Sequence, residues 1–475
     1  MKKFRSIIGV LIVLVYSKNI SAQNFIYTAP AIEDSWGIID VLEEKDRYLF
    51  TSSDYNRTND SVFCNLVKIT KNGNFASDEL LKFSAISRSE YFSNIKGQNY
   101  LTILALESDP TINQFIEINL TTKEVKRTKF NQRTEITFND ILILGDSVYI
   151  FTIFDIENQI NSIVRFDRRI QKFNISTKLD LLSSDLKLNL TKDKIINKGG
   201  NGIEVLSLTL DSILKTVGDA TYGSISGDIL PLNNLNLYIN TGGQLQDLIF
   251  SDQRDSFDFG IDLLNADLLR IKNTHYGRKG DTVDIPARTQ SIASTNGGFY
   301  FGGTSNFKIW EYPYGFERSW FMIMKTDSAL NLEWTKEYGG DAYYFMTGIM
   351  ATSDGGGIAY GTRQDTTKGN FNRDPFMVKF DKNGMITFTK TFPQTKKTFA
   401  IYPNPASNVL NVKFEENLIT KFIITNTEGK VLKEILGDQI DEKIDISYLL
   451  SGIYFISGYN KNLELIGTQK LIVQK

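Results

Sequence analysis

His275 is the only histidine and Cys64 the only cysteine among 475 residues. One of each cannot assemble a zinc site, and a Cys–His or Ser–His pair would hang on a single position. His275 falls in "THYGRKGDTVD", which reads as an exposed charged loop. Cys64 falls on a predicted strand and reads as a small buried apolar residue. "GSISG" (223–227) places Ile225 where a nucleophile elbow needs serine. No phosphate-binding loop, dinucleotide fingerprint or EF-hand loop is present. Carboxylates remain: 55 Asp and Glu can supply the acid pair of a glycoside hydrolase or oxygen ligands for calcium. They are balanced by 53 Lys and Arg, a net charge of −2, which argues against a nucleic-acid partner. No catalytic residue, metal or cofactor is assigned from the sequence.

The other distinctive chemistry is aromatic. "NFKIWEYPYGFERSW" (306–320) carries Trp310, Tyr312, Tyr314, Phe316 and Arg318, and "GGDAYYF" (339–345) carries Tyr343 and Tyr344. Collected on one rim, flat rings beside charges suit sugar stacking or a protein hot spot. Packed beneath their own loop, the same rings form a small core.

The elements that would position them are repeated. "TNGGFYFGGT" (295–304) aligns without gaps on "SDGGGIAYGT" (353–362), and "KTDSALNLEWTKEY" (325–338) on "KFDKNGMITFTKTF" (379–392). Each copy reads as four antiparallel strands with period-two alternation. Weaker copies upstream share an apolar–charge–apolar–turn signal on the third strand. Lys68, Glu117, Arg165, Thr209, Arg270, Lys325 and Lys379 mark it, at intervals of about fifty residues. The expected fold is all-β: a propeller of about seven four-stranded blades over 23–392. A ring is preferred to a sandwich array or solenoid because it leaves few open edges. The aromatic loop then lies between the second and third strands of the sixth blade. Asn296, Asp354, Asp381 and Asn383 read as turn-formers, with glycine supplying positive φ. "SDGGG", "DKNG" and "LEW" resemble a family of secreted propeller repeats, which implies fold and not activity.

The first 22 residues read as a signal peptide: Lys2, Lys3 and Arg5, then "IIGVLIVLVY" (7–16), then Ala22 at the cleavage point. That apolar run is too short to span a bilayer, and no other segment approaches the length needed. Residues 393–398, "PQTKKT", read as a linker. Beyond it, Pro403 and Pro405 fix φ and remove two donors, forcing an extended lead-in to the alternating "VLNVKF". "NTEGK" reads as a hairpin turn around Gly429, so 399–475 is expected to form a small immunoglobulin-like sandwich.

Tyr402-Pro403-Asn404-Pro405-Ala406, Glu428-Gly429-Lys430, "IDISYLLSGIYFI" with Gly452 and Tyr454, and the terminal "KLIVQK" beginning at Lys470 are the distinctive pieces of this segment. Together they closely resemble the type A C-terminal sorting domain of the type IX secretion system of Bacteroidetes. The resemblance implies a translocon as partner and passage through the periplasm to secretion or the outer-membrane surface. It also implies that the domain is usually cleaved and the body attached to surface lipopolysaccharide or released; the polar linker is where the cut is expected, in or near 393–398. The body is then expected to be a non-catalytic glycan- or protein-binding module. The alternatives are a carboxylate-based enzyme acting on extracellular polysaccharide and a purely structural surface protein.

Overall fold

A computed structural model describes residues 25–28, 35–56, 61–82, 87–106, 112–131, 141–155, 160–179, 183–199, 202–218, 222–232, 234–245, 257–277, 283–307, 318–365, 373–386, 399–414, 419–426, 431–436, 443–459 and 465–475. The expected leader, 1–22, and the expected linker, 393–398, lie outside the described residues. Every described element is a strand. Among the described residues no helix is long and apolar enough to cross a membrane. The chain divides into two compact units, Met1–Phe388 and Thr389–Lys475.

The first unit is a succession of antiparallel sheets with propeller-like order. The first sheet pairs Ser35–Glu43, Arg47–Asn56, Ser61–Thr70 and Phe75–Lys82 in chain order. Four more sheets repeat this meander, beginning at Ser87, Ile141, Ser183 and Tyr222. The sixth starts with two short pieces, Ile285–Pro286 and Ile292–Thr295, both paired to Gly298–Ser305; Trp320–Asp327 and Leu332–Gly339 follow. The seventh contains Tyr343–Ala351, Gly357–Gln364 and Asp374–Phe380. Its fourth strand is Phe25–Thr28, which runs antiparallel from Phe25↔Lys379 to Thr28↔Phe376. The repeat alignment puts a last strand at the end of 379–392, of which 387–392 lie outside the described residues; the described fourth strand comes from the other end of the body.

Each sheet shares a core with its successor. Cys64 of the first meets Leu101 and Ile116 of the second. Phe115 then packs on Phe166 of the third, ring centroids 4.4 Å apart. Three further clusters join the third to the fourth, the fourth to the fifth and the fifth to the sixth. Tyr300 and Phe321 of the sixth pack on Phe380 and Phe376 of the seventh. Ile358, Tyr360 and Met377 of the seventh pack on Ile38, Tyr48 and Phe50 of the first. Middle strands therefore have cores on both faces. Gly298–Ser305, "GFYFGGTS", is buried at every position and does not alternate. Alternation survives in outer strands such as Leu332–Gly339.

The repeated glycines have two separate causes. Gly297 and Gly355 sit in turns at φ +110° and +84°, where a side chain is strained. Gly298 and Gly356 follow them and face backbone: a Cβ would lie 1.9 Å from the Thr326 oxygen and 2.1 Å from the Phe380 oxygen, respectively. Gly298→Ala is expected to cost about 1–3 kcal/mol as an overpacked contact. Gly218, whose Cβ would meet nothing within 4 Å, is the control. Equal thermal unfolding of the two alanine variants would refute this account.

In the second unit Phe399–Tyr402, Val409–Phe414 and Lys443–Asp445 form one sheet. Val431–Leu436, Lys421–Asn426, Gly452–Tyr459 and Leu465–Val473 form the other, in that order. Phe399, Leu410 and Ile444 from the first share one core with Phe422, Ile456 and Leu471 from the second.

Candidate functional site

Residues from the leading strand or segment of every sheet in the first unit line one cavity of about 410 Å³: Asp40, Phe92, Ile141, Lys187, Asp228, Gln290 and Met350. Its carboxylates point at main chain. Asp40 accepts the Phe92 amide of the second sheet at 2.7 Å. Asp185, fully buried beside the cavity, accepts the Ile229 amide of the fifth sheet at 2.9 Å and Lys187 Nζ at 2.6 Å. Asp228 accepts the amides of Ser291 and Ile292 in the sixth. Each acid thus ties one leading strand to the next. A recurring signal could have exposed them: "GIIDVL" (37–42), "SSDLKL" (183–188) and "SGDILP" (226–231) all set Asp before an aliphatic residue. "FNDILI" (138–143) repeats it, with Asp140 outside the described residues.

Trp310, Tyr312, Tyr314 and Phe316 lie outside the described residues, between two strands of the sixth sheet as expected. Arg318 is exposed. Tyr343 and Tyr344 do not stand on an open rim. They are 7 % and 3 % exposed, and adjacent strand residues point to opposite faces. Tyr344 packs edge-on against Phe321 and Phe376. Burial pushes its hydroxyl pKa up, and its hydrogen bond to Asp341 adds to the rise. Arg363 bonds both: Nε donates to the Tyr344 hydroxyl at 3.1 Å and Nη2 to Asp341 at 2.9 Å. Tyr343 faces the other way, into a hollow of about 130 Å³ that also touches Phe307, Phe345 and Gln364.

His275 is exposed, as expected, but it closes the outer strand Arg270–Tyr276 instead of lying in a loop. Its Nε2 stands 3.7 Å from Asp258. Cys64 is fully buried on the third strand of its sheet. Asp381 accepts the Asn383 and Met385 amides, and Asp354 accepts the Gly356 amide, so both are turn-formers. Asp354 has a second role: the fully buried Lys379 Nζ reaches its two oxygens at 3.1 and 2.9 Å. Among the described residues no three His, Cys, Asp or Glu gather as a cation site.

In the second unit the sequence motif joins the two ends of the segment. Asn404 Nδ2 donates to the Lys470 carbonyl at 2.7 Å, and its Oδ1 accepts the Ile472 amide at 2.8 Å. Ala406 pairs with the same strand through two main-chain bonds, to Ile472 and Gln474. The Tyr402-Pro403 and Asn404-Pro405 peptides are cis. Tyr402 is exposed and its carbonyl accepts Asn411 Nδ2 at 2.9 Å. Tyr454 packs on the core and donates to the Leu450 carbonyl at 2.9 Å; Gly452 opens its strand. Lys470 is exposed. Gly429 and Lys430 lie outside the described residues.

Residues 400–474 match the family described as the secretion system C-terminal sorting domain. Such a domain directs export through the type IX system to the cell surface or to secretion. Among curated proteins, none matches the chain. Among solved structures, the beta-propeller domain of the Trilobed protease from Pyrococcus furiosus is similar at 8% identity and a TM-score of 0.43, over 71% of this chain and 93% of that one. The extracellular domain of a protein described as a hybrid two component system from B. thetaiotaomicron is similar at 10% identity and a TM-score of 0.47, over 96% of this chain and 59% of that one. The propeller-like reading rests on the sheet order and shared cores themselves.

Proposed function

We propose that the exported body is a closed ring of seven four-stranded blades acting as a non-catalytic binding module for an extracellular glycan or protein. An immunoglobulin-like sorting domain follows it and is read by the secretion translocon. The cyclic succession of shared cores and the single cavity touched by all seven sheets support the ring. A leader at 1–22, a body over 23–392 and a cut in or near 393–398 complete the organisation. The observation that carries the non-catalytic reading is the use of Asp40, Asp185 and Asp228 as acceptors for main-chain amides. A carboxylate so engaged is oriented toward main chain and spends its oxygens there, away from a glycosidic oxygen in the cavity. The binding surface is the loop at 306–320, with Trp310, Tyr312, Tyr314, Phe316 and Arg318. Burial of Tyr343 and Tyr344 favours the second reading, a structural surface protein.

The test is a glycan-array screen of the full chain beside Trp310→Ala and Tyr314→Ala. Saturable binding to the wild type, reduced at least tenfold in either variant, is expected. Three equally folded proteins that bind no glycan would remove the glycan reading and leave protein partners or a structural role. Cleavage of an arrayed polysaccharide would restore the enzyme.

A further inference from the structure

The second unit turns apolar side chains to water. Of the large apolar side chains that stand exposed among the described residues, eight lie in the second unit and ten in the first, although the first is more than four times as long. Four of the eight, Val431, Leu436, Ile453 and Phe455, share one surface. In the four-stranded sheet Val431 pairs with Thr425, Thr425 with Phe455 and Phe455 with Lys470. Residues paired across strands share a face, and so do residues two apart along a strand. Ile423, and Ile453 with its partner Ile472, therefore extend the same surface. Leu436, paired with Lys421, lies at its far end beside the Lys421–Glu434 ion pair of 2.7 Å. The reverse of the sheet is core, carried by Phe422, Ile424, Ile456 and Leu471. Val431, Ile453 and Phe455 are 49 %, 44 % and 36 % exposed, and Ile423 and Ile472 are half-buried. An antiparallel sheet with one face on a core ordinarily turns polar residues outward on the other. Here the outward face is aliphatic and aromatic, with the exposed Lys470 on its edge strand.

The pieces that distinguish this segment divide between the two faces. "SGIYFI" and "KLIVQK" send Tyr454, Ile456, Leu471 and Val473 to the core. Ile453, Phe455, Lys470 and Ile472 alternate with them and face away, and Val431 directly follows Gly429-Lys430. The core accounts for the first set and not for the second. A contiguous exposed apolar patch is the mark of an interaction surface. The match of 400–474 to a secretion system C-terminal sorting domain says which machinery must hold it.

We infer that this face is the surface by which the secretion system grips the domain. The partner it fits is a secretion-system protein that presents an apolar surface of its own and a carboxylate placed to meet Lys470. Phe455 and the branched side chains around it are the desolvated centre of the contact, and Lys470 at the rim sets its orientation. The inference rests on the reading of this domain as the part read by the translocon and assigns that reading a face.

Export of the full chain in a host with a type IX system tests it. Ile453→Thr combined with Phe455→Thr keeps a β-branched strand former at both places while removing the apolar surface. This double variant is expected to lower surface and culture-fluid protein at least tenfold, with its unfolding temperature unchanged. Val409→Thr removes a comparably exposed side chain from the other sheet and should export as the wild type does. A photo-crosslinking residue in place of Thr425, amid the face, should join the otherwise wild-type chain to a secretion-system protein identified by mass spectrometry. The double variant should remove that adduct. Wild-type export of the double variant, an equal loss in Val409→Thr, no adduct at Thr425, or an adduct only to a second copy of the chain or to lipid overturns the inference. Deleting 399–475 tells this failure from that of the reading beneath it. A deleted chain that still reaches the surface overturns both. One that stays inside while the double variant is exported removes only the face.

Discussion

Replacing Asn404 by alanine is expected to strand the protein inside the cell. One side chain ties the proline-rich lead-in to the last strand, giving a bond to the Lys470 carbonyl and accepting one from the Ile472 amide. Each bond contributes roughly 0.5–1.5 kcal/mol. Their joint loss, about 1–3 kcal/mol, is a large fraction of what a small domain holds. The lost bonds also sit where the sequence motif is densest, so the last strand, Leu465–Val473, loses its register marker. Surface and culture-fluid fractions, probed by immunoblot, should fall at least tenfold relative to the wild type. Asn404→Asp keeps the acceptor and loses the donor, and should fall between. Lys470→Ala separates folding from reading. Its side chain is exposed while its main-chain carbonyl makes the bond, so this variant should fold normally. Wild-type export of Asn404→Ala would show that the tie is dispensable.

The second large effect is expected at Asp354. Lys379 is fully buried and its ammonium donates to both Asp354 oxygens and, at 3.1 Å, to the Phe380 carbonyl. Asp354→Ala leaves that charge without its counter-ion, a change that costs about 3–5 kcal/mol. Lys379→Met added to Asp354→Ala should recover much of the loss, because the pair then leaves no uncompensated charge. A double variant no more stable than Asp354→Ala would defeat the argument. The pair also sets an acid limb. Burial raises the Asp354 pKa, but Lys379, Thr352 and the Gly356 amide outweigh burial and hold it below the ordinary 3.8. A carboxyl with a depressed folded pKa contributes stability above its unfolded value and loses it as pH falls through the folded one. Below about pH 4 the wild type should therefore lose stability that Asp354→Ala has already lost, and the two unfolding curves should converge.

Much of the architecture was legible because turn chemistry is local. Lys68, Glu117, Arg165, Lys325 and Lys379 all fall on third strands, two places before a turn residue: Thr70, Asn119, Asp167, Asp327 and Asp381. Four of those residues cap the turn with a carboxylate or amide oxygen and Thr70 with its hydroxyl. Thr209 and Arg270 are misplaced. The corresponding positions precede Ser207 and Asn265, and they are Val205 and Leu263. Apolar residues there erased the charge that the alignment followed. The fourth strand of the seventh sheet was hidden for another reason: Phe25–Thr28 has no local signal linking it to its partner, Phe376–Lys379.

The candidate site was less legible. Tyr343 and Tyr344 are neighbours in sequence, and grouping them on one rim ignored the pleat that sends them to opposite faces. Gln364, Arg373 and Arg288 carry no motif. Gln364 faces Tyr343 through strand register, and Arg373 and Arg288 line the same hollow from elsewhere in the chain, which no composition or spacing reveals.

The strand at Phe25–Thr28 also puts a clock on the protein. Its partner strand is among the last parts of the body to be synthesised, so the seventh sheet cannot be completed while the body is still emerging. Closing so long a loop adds little to the equilibrium cost, because that cost grows only with the logarithm of length. The constraint is one of order. The segment that carries the export address begins after the closing strand has been made. A chain truncated anywhere within the body lacks the address, and every chain that displays it already contains all the strands its last sheet requires.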